Sequence, residues 1–384
     1  MTSVKIKIMD SPSGTGEGVV CYALRHRRRT RLIVSDRRVA LPVNECDIAV
    51  NKAVDMDVAR LKRVIAGMEV RGWDYSVDDV AEEYGRQCKA GLLFVFMERV
   101  IASLLANGRV RTSETYRAAL NSFRRFRSGE DVMIDCLDGA MMEAYQAWLR
   151  RRGLVLNTVS FYVRILRAVY NRAVEQGLTA DCRPFRHVYT GVDKTVKRAL
   201  QLPVIRKIKN LDLKEAPELA YARDMFMMSF YLRGMSFVDM AYLRKTDLRA
   251  GYIVYRRRKT GRQLVIKWTR AMQQIIDRYP DNNTGYLLPV IRNNSHNERN
   301  TYRNTSYNIN HGLKRIAELV GVSMPLTMYV ARHSWATAAK EKGVPVRVIS
   351  EGMGHDSEAT TQIYLASLDT SVVDRANSLI LSSL

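Results

Sequence analysis

The spacing of apolar positions changes period several times along the chain, and each change marks an element. From Val4 to Pro42 the apolar and β-branched residues fall in short runs, which predicts strands over Val19–Leu24, Arg31–Val34 and Arg38–Leu41. From Val50 to about Lys89 the period becomes helical, with Val54, Val58, Leu61, Val64, Ile65 and Met68 along one face, interrupted at Gly72 and the polar stretch that follows it. Between Leu92 and about Arg183 come amphipathic segments at Leu93–Ala106, Ser113–Arg127, Ala140–Arg152 and Thr158–Gln176, a pattern that predicts a helical bundle. Asn157 is placed to cap the last of these and Gly177 to end it. A basic stretch, Asp193–Leu202, precedes Pro203 and reads as a linker.

Beyond the linker, Pro217–Leu232 is a strongly apolar helix whose Met-rich end suits core filling. Tyr252–Trp268 alternates as a β-hairpin with Thr-Gly at its turn, and the Asn-rich Asn282–Asn310 reads as a long polar connection. Leu326–Lys342 is helical, stopped by Gly343 and Pro345; Val346–Met353 is a second helix ending at Gly354. The tail Ser371–Leu384 carries Val372, Val373, Ala376, Leu379 and Ile380 on one helical stripe. The fold class expected is mainly α with small β elements.

Charge sharpens this picture. Lys and Arg number 61 against 39 Asp and Glu, a formal charge of +22, which calls for a polyanionic partner. No apolar run approaches the ~20 residues of a membrane span, and Met-Thr-Ser-Val-Lys-Ile-Lys-Ile has no signal-peptide core, so a cytoplasmic protein without membrane attachment is expected. The five cysteines are dispersed without a Cys-x-x-Cys pair, which fits reduced thiols. Neither zinc-ligand spacing nor the carboxylate cluster of a two-metal nuclease is present, so no metal and no cofactor is expected.

One constellation carries candidate chemistry: Arg332, His355 and Tyr364, an anion clamp, a titratable ring and a phenol. Gly352 and Gly354 allow the sharp turn that would set His355 at the mouth of a cleft. Phosphoryl transfer onto a tyrosine needs such a set. The order Arg, Gly-His, then Tyr nine positions on, with Arg-His-Ser-Trp-Ala-Thr at 332–337, resembles the C-terminal signature of the tyrosine recombinase (phage integrase) family. The wording of the first of these boxes, Tyr-Val-Ala-Arg-His-Ser-Trp-Ala-Thr, is most similar to the Bacteroidetes-type branch found on mobile elements.

The resemblance extends upstream and then departs from pattern. Gly234, Met235, Asp239, Leu243, Arg244 and Asp247 fit the family's first arginine box, but Ser236 stands where its arginine is expected. A neutral serine offers one weak hydrogen bond where a bidentate cation belongs. Arg233, three residues earlier, would share a face with Ser236 if the turn were helical and so could replace the missing guanidinium. Lys259, in Lys-Thr-Gly-Arg, resembles the family's strand-turn lysine, which implies a general acid for the leaving 5′ oxygen. Tyr329 stands where the family usually has His; it would share a face with Arg332 and reach the phosphate without carrying charge. His333 reads as structural.

By resemblance, residues 1–89 are an arm-type DNA-binding β-sheet domain with a connector helix and 90–192 a helical SAM-like core-binding domain. Residues 193–202 are the linker, and 203–384 a mixed α+β catalytic domain with a tail helix. Arg27, Arg28 and Arg29 are candidate phosphate contacts on the sheet, Arg124, Arg125, Arg164 and Arg167 on the bundle, and Arg257, Arg258 and Arg262 beside the hairpin turn. The function implied is site-specific recombination of double-stranded DNA through a 3′-phosphotyrosyl intermediate, by a tetramer on two DNA sites, with room for DNA-bending host or element-encoded factors. Two alternatives stand beside it: a catalytically weakened DNA-binding regulator, which Ser236 and Tyr329 would permit, and a type IB topoisomerase-like enzyme.

Overall fold

A computed structural model describes residues 2–10, 17–40, 48–72, 74–193, 198–280, 283–292, 297–355, 357–365 and 381. The chain divides into two compact units, Met1–Lys194 and Thr195–Leu384.

The first unit opens with an antiparallel sheet in the order β1 (Ser3–Asp10), β2 (Glu17–His26), β3 (Arg29–Ala40). The two later predicted strands are one: β3 runs unbroken through Arg38, with a register irregularity opposite Val19 and Cys21. Arg27 and Arg28 form the tight β2–β3 turn at φ 46° and 71°, the left-handed values that two-residue hairpin turns require. Val20, Tyr22 and Leu24 of β2 pack with Val54, Leu61 and Val64 of α1 (Ile48–Val70) and with Val77 and Val80 of α2 (Val77–Gly91). Ser76 and Asp79 close a capping box at the start of α2.

The bundle follows as α3 (Leu93–Ala106), α4 (Val110–Phe126), α5 (Gly139–Arg151) and α6 (Leu156–Glu175), around Phe96, Met97, Leu120, Phe123, Tyr145, Leu166 and Tyr170. Asn157 lies inside α6 and does not cap it; its amide instead holds the backbone of Asp193, accepting from its N–H at 2.7 Å and donating to its carbonyl at 3.0 Å. A buried charge network ties sheet, connector and bundle. Asp57 accepts from Tyr22 at 2.8 Å, from Arg37 at 2.8 Å and from Arg60 at 3.0 Å, and Arg60 also pairs with Asp135. Buried charges in such a network are stable only as a set; deleting one partner typically costs about 3–5 kcal/mol.

The second unit is built on α8 (Pro217–Tyr231), which follows α7 (Leu202–Lys209). The Met-rich run of α8 is core: Met225, Phe226, Met227 and Met228 are buried. After the short α9 (Phe237–Ala241), β4 (Leu248–Arg249), β5 (Tyr252–Arg256) and β6 (Gln263–Lys267) form a three-stranded antiparallel sheet, one short strand more than the expected hairpin. The helix α10 (Arg270–Ile276) follows the sheet and precedes the Asn-rich stretch. The Asn-rich stretch is not a connection throughout: α11 spans Glu298–Leu319, capped by the Asn297 side chain, which accepts from the Asn300 N–H. Its second half buries Ile309, Leu313, Ile316 and Ala317, whereas its first half sets only the half-buried Tyr302 against the core and so carries no periodic signal.

The last described helices are α12 (Met328–Glu341), α13 (Val346–Met353) and α14 (Glu358–Leu365). α12 and α11 pack against α8. Gly354 ends α13 in the left-handed conformation, φ 66°. The stripe expected over Ser371–Leu384, Val372 to Ile380, lies outside the described residues.

Candidate active site

The turn between α8 and α9 brings the first arginine box against α12. Arg233 and Gly234 adopt φ 59° and 70°, so the turn is not helical and the shared face expected for Arg233 and Ser236 does not form. Gly234 is needed on two counts. Its φ is left-handed, and a Cβ there would stand 2.7 Å from Arg332 Cα. The carbonyl of Gly234 thereby accepts from Arg332 Nη1 at 2.7 Å.

Arg332 is 3% exposed, a guanidinium fixed inside the protein by carbonyls. Besides Gly234, Nη2 donates to Met353 O at 2.8 Å and faces His355 Nε2 at 2.8 Å. A guanidinium has donors only, so Nε2 must accept. The His355 proton therefore sits on Nδ1 and is donated to Thr361 Oγ1 at 2.7 Å. Burial pushes the His355 pKa down to about 4, helped by the charges of Arg332, Arg257 and Lys259. At neutral pH the ring is uncharged, a hydrogen-bonded bridge between the α12 clamp and α14. Its Nε2 lone pair is engaged by Arg332 here, so the ring orients more directly than it could accept a phenolic proton.

Tyr364 falls in α14, three residues after Thr361; its side chain lies outside those described. Ser236, Tyr329 and Arg332 line one cavity of about 370 Å³, together with Phe237, Tyr302 and Asn310. Tyr329 is 54% exposed and stands edge-on to His333, with centroids 4.7 Å apart. His333 is buried.

Ser236 is less available than its sequence position suggests. It caps α9, and its hydroxyl donates to Asp239 Oδ2 at 2.6 Å. Asp239, a buried carboxylate that the sequence placed in the first arginine box without a role, also accepts from the Arg258 N–H at 2.9 Å and lies 4.0 Å from Arg257 Nε. The Ser-x-x-Asp spacing is a capping pattern and was the available signal for it.

The hairpin turn is clasped to the end of α13. Arg257 Nη1 donates to Gly354 O at 2.6 Å and Arg262 Nη1 to His355 O at 2.8 Å. Arg257, expected to hold phosphate, is 7% exposed and spends its guanidinium on these internal acceptors. Lys259 is exposed at the tip of this clasped turn, close enough for its charge to disfavour protonation of His355. Arg258 is exposed and lies over the Tyr242 ring at 4.3 Å. Arg233 is half-buried and acts, with Arg332 and Arg257, on the Tyr255 hydroxyl, which burial pushes well above its ordinary range. In the first unit Arg27 pairs with Asp74 at 2.6 Å, and Arg124 with Glu98 at 2.9 Å. Arg28, Arg29, Arg125, Arg164 and Arg167 are exposed.

Comparison with known proteins bears on this assembly. Residues 92–186 match the family described as Phage integrase SAM-like domain, and residues 205–371 the one described as Phage integrase family. Tyrosine recombinase XerD of Listeria monocytogenes is 26% identical over 277 residues, covering 66% of this chain and 88% of that protein. Tyrosine recombinase XerA of Thermococcus kodakarensis is 27% identical over 225 residues, covering 57% and 74%. Among solved structures, a lambda integrase tetramer bound to a Holliday junction aligns over 92% of this chain and 96% of its own, with TM-score 0.56 and 15% identity. The Tn1549 transposon integrase in complex with transposon right-end DNA aligns over 76% and 99%, with TM-score 0.53 and 15% identity. The two matched segments fall on the bundle and on the unit that holds Arg332, His355 and the helix of Tyr364, and the chain belongs to the phage integrase family of tyrosine recombinases.

Proposed function

We propose that this protein is a site-specific DNA recombinase that breaks and rejoins double-stranded DNA with Tyr364 as its nucleophile. The observation that carries the assignment is the unbroken series Arg332–His355–Thr361, with contacts of 2.8 and 2.7 Å, which joins a buried anion clamp to the helix bearing Tyr364. In the reaction, the Tyr364 phenol releases its proton to solvent water as its oxygen attacks the scissile phosphorus and takes up the 3′ phosphate, while the bond to the 5′ oxygen breaks. Lys259 delivers the proton that oxygen needs, and Arg332 neutralises the charge developing on the non-bridging oxygens. The phosphotyrosyl bond conserves the energy of the broken link, so a second strand's 5′ hydroxyl reverses the step without ATP.

Arg233 is the second guanidinium of this reading, in place of the arginine that Ser236 replaces. Its support is position: its side chain lies against Gly352, next to the Met353 whose carbonyl holds Arg332. Arg233→Ala is expected to slow cleavage about 10²- to 10³-fold, the usual effect of losing one such donor. Cleavage at the parent rate would remove Arg233 from the site. Tyr329, beside Ser236 and Arg332 in the cavity, contributes a neutral contact to the phosphate. Exposed Arg28, Arg29, Arg125, Arg164, Arg167 and Arg258 follow the DNA backbone, four protomers assemble on two sites, and the protein acts on cytoplasmic DNA of a Bacteroidetes-type mobile element.

A supercoiled plasmid carrying two copies of the gene's own flanking DNA tests this. Deletion or inversion products support the recombinase, relaxation without recombinants makes the protein a topoisomerase, and binding without any strand breakage makes it a regulator.

A further inference from the structure

Thr361 has no place in the chemistry derived so far, yet it occupies a decisive position. It is fully buried on α14 and its hydroxyl is 2.7 Å from His355 Nδ1. The opposite ring nitrogen meets a donor-only guanidinium, so the hydrogen bond to Thr361 settles which nitrogen carries the proton. Tyr364 lies one turn further along the same helix.

We propose that Thr361 is a positioning residue for strand cleavage: by accepting the Nδ1–H of His355 it fixes the ring tautomer and holds the helix of Tyr364 to the Arg332 clamp. This rests on the recombinase reading above. With the hydroxyl gone, the Nδ1–H would be buried without an acceptor and would bear its full desolvation penalty, more than the net worth of an ordinary internal hydrogen bond. The ring would then rotate or exchange tautomers, presenting a second donor to the Arg332 guanidinium. Both changes loosen the link between α14 and the phosphate-binding side chain while leaving the DNA-holding surfaces untouched.

The test compares the full-length parent protein with Thr361→Val, which keeps the shape and removes the acceptor, and Thr361→Ser, which keeps the acceptor. Cleavage of a nicked suicide duplex carrying the gene's flanks is measured at saturating protein, alongside DNA affinity and the ¹⁵N spectrum of the histidines. The valine variant should cleave about ten- to a hundredfold more slowly, with DNA affinity unchanged and with the Nδ1–H signature of His355 lost. The serine variant should recover the parent rate to within about threefold, and recover the signature. Parent-like cleavage by the valine variant, or equal slowing in both variants, overturns the proposal. If the parent itself forms no covalent adduct, the recombinase reading fails and the spectra decide: a tautomer lost only in the valine variant upholds the positioning role, and one unchanged in all three refutes it.

Discussion

The His355 imidazole is held between a cation and a hydroxyl, a placement with a measurable consequence. Its pKa, about 4 against an ordinary 6.5, makes protonation a property of the unfolded chain first. Above pH 6.5 both states are neutral and the contribution to stability is complete; as pH falls from 6.5 towards 4 the unfolded state takes up the proton and stability is lost. The urea midpoint of the parent should therefore fall through this window more steeply than that of His355→Gln. Equal slopes would show that His355 is not buried as a neutral ring. At this scale the sequence displayed Arg332, His355 and Tyr364 through residue type and spacing alone. It could not display Thr361 or the internal roles of Asp239 and Arg257, because those depend on which backbone carbonyl, N–H or ring nitrogen folding brings within 3 Å or so. Ser236 shows the same limit, since its hydroxyl is committed to Asp239.

Elements place these residues by a few obligatory close approaches. The α8–α9 turn touches α12 through Gly234, and the hairpin turn touches the end of α13 through two arginine-to-carbonyl hydrogen bonds. Gly234→Ala would bring a methyl group within 2.7 Å of Arg332 Cα on a left-handed backbone. It should cost about 1–3 kcal/mol of stability, read as a lower urea midpoint, and should slow cleavage by shifting the clamp. An alanine variant as stable and active as the parent would mean that the turn does not fix Arg332. Periodicity was enough to predict the bundle, α8, α12 and the hairpin, where each buries a regular face. It failed for α11, whose first half packs a single tyrosine, Tyr302, against the core and is started by an asparagine cap that reads equally well as a turn. It failed also for Asn157, a plausible cap that is used to hold Asp193.

On the scale of the whole molecule, two compact units carry a net charge of +22, and both contribute exposed arginines. The sheet and bundle that resemblance separated at residue 89 lie in one unit, joined by the Asp57–Arg60–Asp135 network. No sequence rule pairs residues 75 positions apart as Arg60 and Asp135 are paired. Basic composition suits a polyanionic partner, and the recombinase chemistry itself comes down to one bond, between Tyr364 and DNA. A nicked suicide duplex labelled on the 3′ side of its break point should become covalently attached to the native protein, and digestion should recover the label on the peptide containing Tyr364. Tyr364→Phe should bind the same DNA and form no adduct. An adduct that persists in that variant, or one mapped to another residue, would contradict the assignment of Tyr364 as the nucleophile.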